Sequence, residues 1–427
     1  MHTVSTSMTT TEAVLAGLPE IRTWQEDCYR DLHAHPELSH QEFTTARAVA
    51  ERLRSLDYQV HEGIGGTGVV AVLDNGSGPT VLLRADMDAL PVREATGLEY
   101  ASVVRANDAE GNEVPVMHAC GHDLHVTALL GAAQLLADGR GHWHGTVVAL
   151  FQPAEETADG ARSMVDDGLA AIVPRVDVAL AQHVFPLPAG TVSTHAGPFL
   201  ASADSMRITV HGRGAHGSMP QSSVDPVVLA AMIVVRLQTI VSREVAPVDS
   251  AVVTVGSIAS GSKSNVIPDS ALLQLNIRTY SDQTRTAVLA AIQRIVTAEC
   301  MASGSPKDPE FELFDRFPPT INDVATTTRV REAFTSFFGD RCWEVPQGTG
   351  SEDFGEIPSA LGVPYTYWGI GGIDATIYQQ AVDSGRVQQD IPVNHSPHFA
   401  PVIQPTLDTG TQTLVVAAMA WLAPTPT

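Results

Sequence analysis

The densest group of chemically reactive side chains lies in the eight residues His118–His125. This segment contains three histidines, a cysteine and an aspartate, and an apolar stretch with helical character follows it directly. Cys120 and His122 flank Gly121, which lets the backbone bend so that both side chains can reach one ion. Thiolate and imidazole are donors that zinc prefers. A buried free cysteine beside solvent-exposed histidines, or a redox thiol, is the alternative.

The adjacent carboxylates Glu155 and Glu156 are a second candidate for chemistry. They follow the apolar segment Thr146–Phe151 and precede the loop 157–160. At the end of an extended strand the two side chains point apart, so one can bind a metal ion while its neighbour holds the water that the ion acidifies. That neighbour can accept the water proton and pass it to a leaving amine. Two solvated surface acids are the alternative.

Two further histidines complete a set of possible metal donors. His183 or His395 alone is more often a core or surface residue than a ligand, but both occur together with Cys120, His122 and Glu156. Zinc takes four ligands, and a catalytic ion keeps one position for water or substrate. Five donors therefore suffice for one catalytic ion, and a second ion is possible.

The elements that must position these groups alternate between strands and helices. Apolar strands are predicted at Thr80–Ala85, Thr146–Phe151 and Val176–Ala181, and their ends present Asp86 and Asp88, the glutamate pair, and His183. This alternation predicts a mixed, mostly parallel sheet flanked by helices. Before it, residues 12–56 predict two helices. Pro36 ends the first, with His33 and His35 as helix-end residues, and Ser39 with Glu42 resembles a capping box for the second.

The pattern changes after Gly197. Strands and helices follow in the order β-α-β-β-α-β, which is the order of a ferredoxin-like unit. We therefore predict a catalytic domain in two parts, residues 1–200 and 317–427, with an inserted domain at 201–316. Asp225-Pro226 is a good start for a helix to Val241. This helix is more apolar than a one-faced surface helix requires, and either complete burial against its own sheet or a dimer interface would explain it. Its apolar run is interrupted by Arg236 and too short to cross a bilayer.

Composition limits the class of protein. The 427 residues exceed the size of a single core, and the net charge of −23 argues against nucleic acid or anionic membranes as partners. The four cysteines are scattered, as in proteins of a reducing compartment. Residues 1–20 lack the basic and apolar regions of a signal peptide. A cytoplasmic location is expected.

Several ordered motifs resemble the amidohydrolase branch of the aminoacylase and carboxypeptidase metallopeptidases, which includes hippurate hydrolases and auxin-conjugate hydrolases. The resemblance runs from about residue 25 to 425, and Leu237–Val245 and Ala251–Ile258 most resemble bacterial N-alpha-acyl-glutamine aminoacylases. The matching stretches are His33–Ser39, Arg84–Pro91, His118–His125, Gln152–Glu156, Gly214–Pro220, Asn265–Asp269 and Asn394–Phe399.

The resemblance implies roles for individual residues. The metal ligands would be Cys120, His122, Glu156, His183 and His395. Glu155 would be the general base, and His216 of the inserted domain would steady the oxyanion, typically in the partner subunit's site. Asn265 and Arg278 would engage the substrate carboxylate, and a guanidinium suits that group. Without the resemblance, a surface strand residue is as good an interpretation of Arg278 as a substrate-binding one.

The motifs also depart from the wider family at two positions. Asp86 stands where the family has a metal-binding histidine, and His122 stands where it has a bridging aspartate. Asp88 keeps the family's second position and is expected to orient a ligand imidazole. An imidazole bridges two ions poorly, whereas the Cys120 thiolate is able to bridge. One zinc ion and two both remain open, and manganese or cobalt could replace zinc.

The leading functional hypothesis is a zinc amidohydrolase that cleaves N-acyl amino acids, acyl-glutamine or similar, and forms a homodimer through the inserted domain. A dipeptidase or carboxypeptidase of the same family is one alternative. A non-catalytic protein with a structural zinc is another, although a structural site has no need of the carboxylate of Glu155 beside Glu156.

Overall fold

The computed structural model describes residues 8–424, so the outermost parts of the predicted catalytic domain and the first seven residues of the 1–20 segment lie outside the described residues. The helices are α1 (Thr10–Leu15), α2 (Leu18–Ala34), α3 (Phe43–Ser55), α4 (His122–Asp138), α5 (Gly160–Asp166), α6 (Leu169–Ile172), α7 (Pro226–Thr239), α8 (Asp282–Ser303), α9 (Val324–Phe338), α10 (Glu356–Leu361), α11 (Ala375–Asp383), α12 (Val387–Asp390) and α13 (Ile403–Leu422).

The strands are β1 (Gln59–Ile64), β2 (Gly68–Asn75), β3 (Thr80–Asp86), β4 (Arg105–Asn107), β5 (Glu113–Pro115), β6 (Gly145–Gln152), β7 (Val178–Pro188), β8 (Val192–Thr194), β9 (Gly197–Leu200), β10 (Ser202–His211), β11 (Ala215–His216), β12 (Ala251–Ala259), β13 (Val266–Ile267), β14 (Ser270–Thr279), β15 (Glu310–Phe317), β16 (Thr320–Asn322), β17 (Cys342–Glu344) and β18 (Tyr365–Ile373).

The described chain divides into two compact units. The first contains the residues up to Gly197, Ile321–Pro346 and the residues from Asp353 onward. The second contains Pro198–Thr320 and Gln347–Glu352. The second unit is thus inserted in the sequence of the first.

A mixed sheet forms the centre of the first unit, and its strand order is β1-β2-β6-β3-β7-β18-β8-β17. The central strands β6, β3, β7 and β18 are parallel, whereas β1, β2 and β8 bring antiparallel pairings. Every residue of β3 is buried, as expected for a strand covered on both faces. The predicted fold class, a mostly parallel sheet flanked by helices, is confirmed.

Helices α4 and α13 pack on each other and on β3 and β7. Nearly all of α4 is buried, including Leu124, Leu129 and Leu136 in the core of the unit. This burial fixes the position of the helix that begins at His122. The parallel register places Asp86 of β3 opposite Gln152 of β6, so the carboxyl ends of these strands meet at one edge. Strand β7 is longer than predicted, and His183 lies inside it rather than after it.

The second unit has a four-stranded antiparallel sheet with the order β12-β14-β10-β15. Together with α7 between β10 and β12, and α8 between β14 and β15, this is the predicted ferredoxin-like arrangement. Alternating residues of β14 are buried, and Leu273, Leu275 and Ile277 join the core. The predicted cap of α7 is also present, because Asp225 Oδ1 accepts hydrogen bonds from the N–H groups of Val227 and Val228.

Complete burial of α7, one of the two explanations for its apolar sequence, is wrong. Leu229, Ile233 and Leu237 pack into the core, whereas Met232 and Val235 on the other face are 52% and 67% exposed. A π-helical turn continues the helix, and Pro226–Glu244 is long and apolar enough to cross a membrane by length and composition. The helix is therefore long enough, but one such helix is weak evidence for a membrane span, because core helices of soluble proteins pass the same test.

The capping box predicted for Ser39 and Glu42 is wrong. Glu42 itself is the residue before α3, and its side chain does not cap that helix end. The Glu37 carboxylate accepts the N–H groups of Thr44 and Thr45 in the first turn instead. The Ser39 hydroxyl donates instead to Asp88 Oδ2 at 2.7 Å, and the Glu42 carboxylate accepts hydrogen bonds from Thr67 and Ala154. Both polar side chains of this segment thus point to the loops that follow β3 and β6.

Candidate metal centre

The five predicted metal donors come together at the carboxyl edge of the sheet in the first unit. The donor atoms of Cys120, His122 and His183 lie within 4.8 Å of one another, and so do those of Cys120, Glu156 and His395. Cys120 Sγ is 3.4 Å from His183 Nε2, and His395 Nε2 is 3.4 Å from Glu156 Oε2. Residues separated by up to 275 positions thus surround one small volume.

The close approach of Cys120 and His122 depends on the glycine between them. Gly121 has a φ of 85°, in the left-handed region, and it precedes the first residue of α4. A Cβ atom at this position would lie 2.4 Å from Val184 Cγ1. The backbone bend expected from the sequence is therefore present, and only glycine fits it without strain.

Asp88 sets the orientation of the His122 ring. Nδ1 of His122 lies 2.9 Å from the Asp88 carbonyl oxygen and 3.2 Å from its Oδ1. A carbonyl oxygen only accepts, so Nδ1 carries a proton and Nε2 is the ring nitrogen left for a metal ion. Asp88 Oδ2 also accepts the Ser39 hydroxyl and the N–H of Glu156, the latter at 2.9 Å. One buried carboxylate therefore joins three segments of the site.

His183 has the same tautomer for the same reason. Its Nδ1 lies 2.7 Å from the carbonyl oxygen of Val184 and donates to it. Nε2 is left with its lone pair and faces the sulfur of Cys120. Burial and the neighbouring His125 hold the pKa of His183 well below its usual value, so the ring is neutral, as a metal ligand must be.

These residues fit a bound metal ion. His122 Nε2 and Glu156 Oε1 are buried and have no hydrogen-bond partner among the described residues, and such groups are costly to leave unpaired. Burial, with the nearby Glu156 carboxylate, raises the pKa of the Cys120 thiol. A cation would satisfy both orphaned atoms and stabilise the thiolate. Sulfur, imidazole and carboxylate donors suit a transition metal rather than magnesium or calcium.

Glu155 lies beside this cluster. It is 6% exposed, and its carboxylate lies within 4.8 Å of donor atoms of His122 and Glu156. The glutamate pair does not end an extended strand as predicted, because both residues lie in a turn after β6. Ala154 and Ala158 in this loop have φ values of 51° and 62°. Left-handed backbone at residues other than glycine marks strain that the surroundings must hold.

Asp86 and His125 lie close to the donors but have other partners. His125 Nδ1 is 2.6 Å from Asp86 Oδ1, and its Nε2 accepts the N–H of Val184 at 2.9 Å. Arg84 donates to Asp86 Oδ2 at 2.6 Å and to Gln152 Oε1 at 2.9 Å. All four polar side chains are buried, so this network supports the strand ends beneath the site. Neither Arg84 nor His125 was predicted as a site residue, although the charge of Arg84 inside an apolar strand was a signal.

His33 is also a structural residue of this region rather than a surface one. Its Nδ1 lies 2.7 Å from Asp123 Oδ2, and its Nε2 lies 3.0 Å from Glu94 Oε1. Burial opposes the charge, but these two carboxylates raise the pKa of His33 to about 10, so the ring is charged at neutral pH. It ties α2 to the first turn of α4. His35, by contrast, is exposed.

The remaining predicted site residues belong to the second unit. His216 pairs with Val266 between β11 and β13, and the N–H of Gly217 donates to the carbonyl oxygen of Asn265. His216 and Asn265 are both exposed. Arg278 of β14 donates to the carbonyl oxygen of Thr349 at 2.7 Å and to Asn276 Oδ1 at 3.1 Å. These bonds hold its guanidinium in one orientation.

Comparison with known proteins agrees with this geometry. The sequence profile of peptidase family M20/M25/M40 matches residues 82–383. The chain belongs to this family. It is 37% identical to thermostable carboxypeptidase 1 of Saccharolobus solfataricus over 357 residues, 82% of this chain and 86% of the relative. It is 38% identical to hippurate hydrolase of Campylobacter jejuni over 347 residues, 79% of this chain and 86% of the relative.

A solved structure shows a similar fold. A Bacillus subtilis protein described as a dinuclear metal binding peptidase from the M20 family superposes with a TM-score of 0.75 and 30% identity, covering 94% of this chain and 98% of that one. The family resemblance inferred from the motifs is confirmed. The chain is a metal-binding hydrolase of amide bonds, which excludes the alternative of a non-catalytic protein.

Substitution of Asp88 should weaken metal binding. Asp88→Ala removes the carboxylate that holds His122 Nδ1 and the Glu156 backbone, and loss of such support typically lowers metal affinity about 10- to 100-fold. Titration against a competing chelator would measure the change. Asp88→Asn keeps one acceptor oxygen and should fall between the wild type and the alanine variant. Equal affinity in all three proteins would show that Asp88 does not organise the donors.

Proposed function

We propose that this chain is a zinc-dependent amidohydrolase that cleaves N-acyl amino acids, acyl-glutamine or similar, to a carboxylic acid and a free amino acid. One observation carries the proposal: five metal donors, two of them with buried orphaned atoms, converge beside the buried carboxylate of Glu155. The similarity to a hippurate hydrolase supports an N-acyl amino acid as substrate.

Zinc would be held by Cys120, His122, Glu156, His183 and His395, and manganese or cobalt could occupy the same donors. Two of the three-donor groups share Cys120, so this residue would serve either one ion or two. When bound, the metal acidifies a water molecule and polarises the substrate carbonyl group.

Glu155 is the proposed general base and acid. It accepts the proton of the attacking water and passes it to the departing amine. Its low exposure keeps bulk water away from this transfer. Asp88 acts through its neighbours, since it holds the proton on His122 Nδ1 and the backbone of Glu156. Glu155 therefore moves the proton, and Asp88 keeps the donors in place.

The second unit supplies the proposed substrate contacts. His216 would steady the negative charge that develops on the carbonyl oxygen, and its exposed position on β11 leaves the ring accessible. Arg278 would bind the substrate carboxylate, together with Asn265. The hydrogen bonds of Arg278 to Thr349 and Asn276 preorganise the guanidinium for that contact.

We further propose a cytoplasmic homodimer joined through the inserted domain. The exposed apolar face of α7, with Val228, Met232 and Val235, supplies a surface that association would bury. All four cysteines are free thiols, which suits a reducing compartment. In such a dimer, His216 of one chain would serve the metal centre of the other.

The substrate class can be tested with a matched panel. N-acetyl-glutamine and hippurate should be hydrolysed faster than a free dipeptide by the zinc-loaded enzyme, because the proposed site recognises an acyl group and one carboxylate. Release of the free amino acid would be measured with zinc, manganese and cobalt in turn, with metal counted per chain. A clear preference for the dipeptide would favour the dipeptidase or carboxypeptidase alternative.

Replacement of the proposed base should separate chemistry from metal binding. Glu155→Gln keeps the size of the side chain but cannot accept a proton, so kcat should fall by at least about 100-fold. The metal content should stay at the wild-type value, because Glu155 is not one of the five donors. Near-normal kcat would remove Glu155 from the mechanism, and loss of metal would instead make it a ligand.

The dimer and the role of His216 can be tested together by mixing two inactive variants. His216→Ala and Glu155→Gln should each be nearly inactive alone. After dissociation and reassociation, half of the dimers are mixed, and each mixed dimer has one intact site if His216 acts across the interface. Activity should then recover to about a quarter of the wild-type value. No recovery would show that His216 acts within its own chain or that no dimer forms.

A further inference from the structure

Glu42 makes a set of contacts that neither its position before α3 nor the proposed chemistry requires. Its carboxylate is fully buried. Oε1 accepts the N–H of His40 at 3.0 Å and the N–H of Ala154 at 2.8 Å, and Oε2 accepts the Thr67 hydroxyl at 2.6 Å. A buried carboxylate with three donors is fixed in one place. It therefore provides a rigid acceptor behind the loop that carries Glu155.

Ala154 is the residue that most needs such an acceptor. Its φ of 51° lies in the left-handed region, where an alanine is strained unless its surroundings hold it. Its carbonyl oxygen accepts the N–H of Gly160 at 3.1 Å, which closes the loop from the other side. The Glu42 carboxylate accepts the backbone N–H of Ala154, which is the one backbone donor of that residue. The backbone conformation of Ala154 sets the direction in which the chain enters Glu155.

Ser39 holds the same loop at a second point. Its hydroxyl donates to Asp88 Oδ2, and the same oxygen accepts the N–H of Glu156. The segment Ser39–Glu42 thus secures the backbone on both sides of Glu155, at Ala154 directly and at Glu156 through Asp88. Between these two points the backbone of Glu155 is restrained.

We propose that Glu42 is a positioning residue, which acts through the backbone of Ala154 to keep the Glu155 carboxylate where it can exchange protons with the attacking water. The inference rests on the proposed function for its effect on turnover. Its structural part, the restraint of residues 153–160, does not depend on the substrate.

The geometry predicts that turnover depends on the hydrogen-bond acceptor at position 42 and not on the negative charge of Glu42. In Glu42→Gln, the amide oxygen keeps the two N–H groups of His40 and Ala154, and the amide nitrogen can donate to the Thr67 hydroxyl, which reverses its role. Burial and the nearby Asp88 raise the pKa of Glu42 to about 6, so these surroundings do not stabilise its charge. Glu42→Ala removes the acceptor altogether.

Glu37 offers a matched control in the same segment. Its carboxylate also accepts backbone N–H groups, those of Thr44 and Thr45 at 2.8–3.0 Å, but these lie in α3 and not in the loop after β6. Glu37→Ala should therefore weaken the same region of the fold while leaving the Glu155 loop in place. Any loss that is specific to Glu42→Ala then reports on the loop.

The test measures kcat, KM, metal per chain and hydrogen exchange of residues 153–160 in the wild type, Glu42→Ala, Glu42→Gln and Glu37→Ala. Glu42→Ala should lower kcat about 10- to 100-fold with KM and metal content nearly unchanged, since small displacements of a catalytic group have effects of this size. It should also speed exchange in that segment. Glu42→Gln and Glu37→Ala should keep kcat and the slow exchange of the wild type.

The inference is overturned if Glu42→Ala exchanges residues 153–160 as slowly as Glu37→Ala, whatever the activity, or if its kcat equals that of the control. A wild type without activity on N-acyl amino acids would refute the proposed function, while the exchange experiment would still decide on the restraint. Should Glu42→Ala not fold, Glu42→Asp keeps the charge but is too short to reach Ala154, and the same loss of kcat and faster exchange are expected.

Discussion

The buried carboxylate of Asp88 is the interaction on which the candidate centre depends. Its backbone and side-chain oxygens hold His122 in one tautomer, and its second oxygen binds the backbone of Glu156 and the hydroxyl of Ser39. A buried carboxylate costs free energy unless donors surround it, so these partners and Asp88 stabilise each other. Three loops that are distant in sequence are thereby held at one edge of the sheet.

Further charges beneath and beside this edge are also paired in the interior. Arg84 compensates the charge of Asp86, to which His125 also donates a hydrogen bond, and the charged ring of His33 lies between Asp123 and Glu94. Removing one partner from such a group leaves an uncompensated buried charge, which typically costs about 3–5 kcal/mol. The network therefore makes the positions of β3 and α4 interdependent, and the ends of these two elements carry Asp88 and His122.

The sequence predicted the fold and the residues that lie together at the site better than it predicted the hydrogen-bond partners of their side chains. Parallel strands send their carboxyl ends to one edge, so the meeting of Asp88, Glu156 and His183 followed from the strand order. Spacing alone could not show that Ser39 and Glu42 turn inward to the loops rather than cap α3, because both uses satisfy the same local pattern. The exposed face of α7 could not be predicted either, because an apolar helix has the same sequence pattern whether its outer face is buried or exposed.

The strand order has a consequence for biosynthesis. Strand β18 lies between β7 and β8 in the sheet but begins 171 positions after the end of β8, with the whole second unit synthesised in between. While the ribosome makes the inserted unit, β7 has one unpaired edge and His395 does not yet exist. A nascent chain in this state exposes a template for wrong strand pairing. Assembly of the sheet and completion of the donor cluster are thus both postponed until the last quarter of the polypeptide emerges.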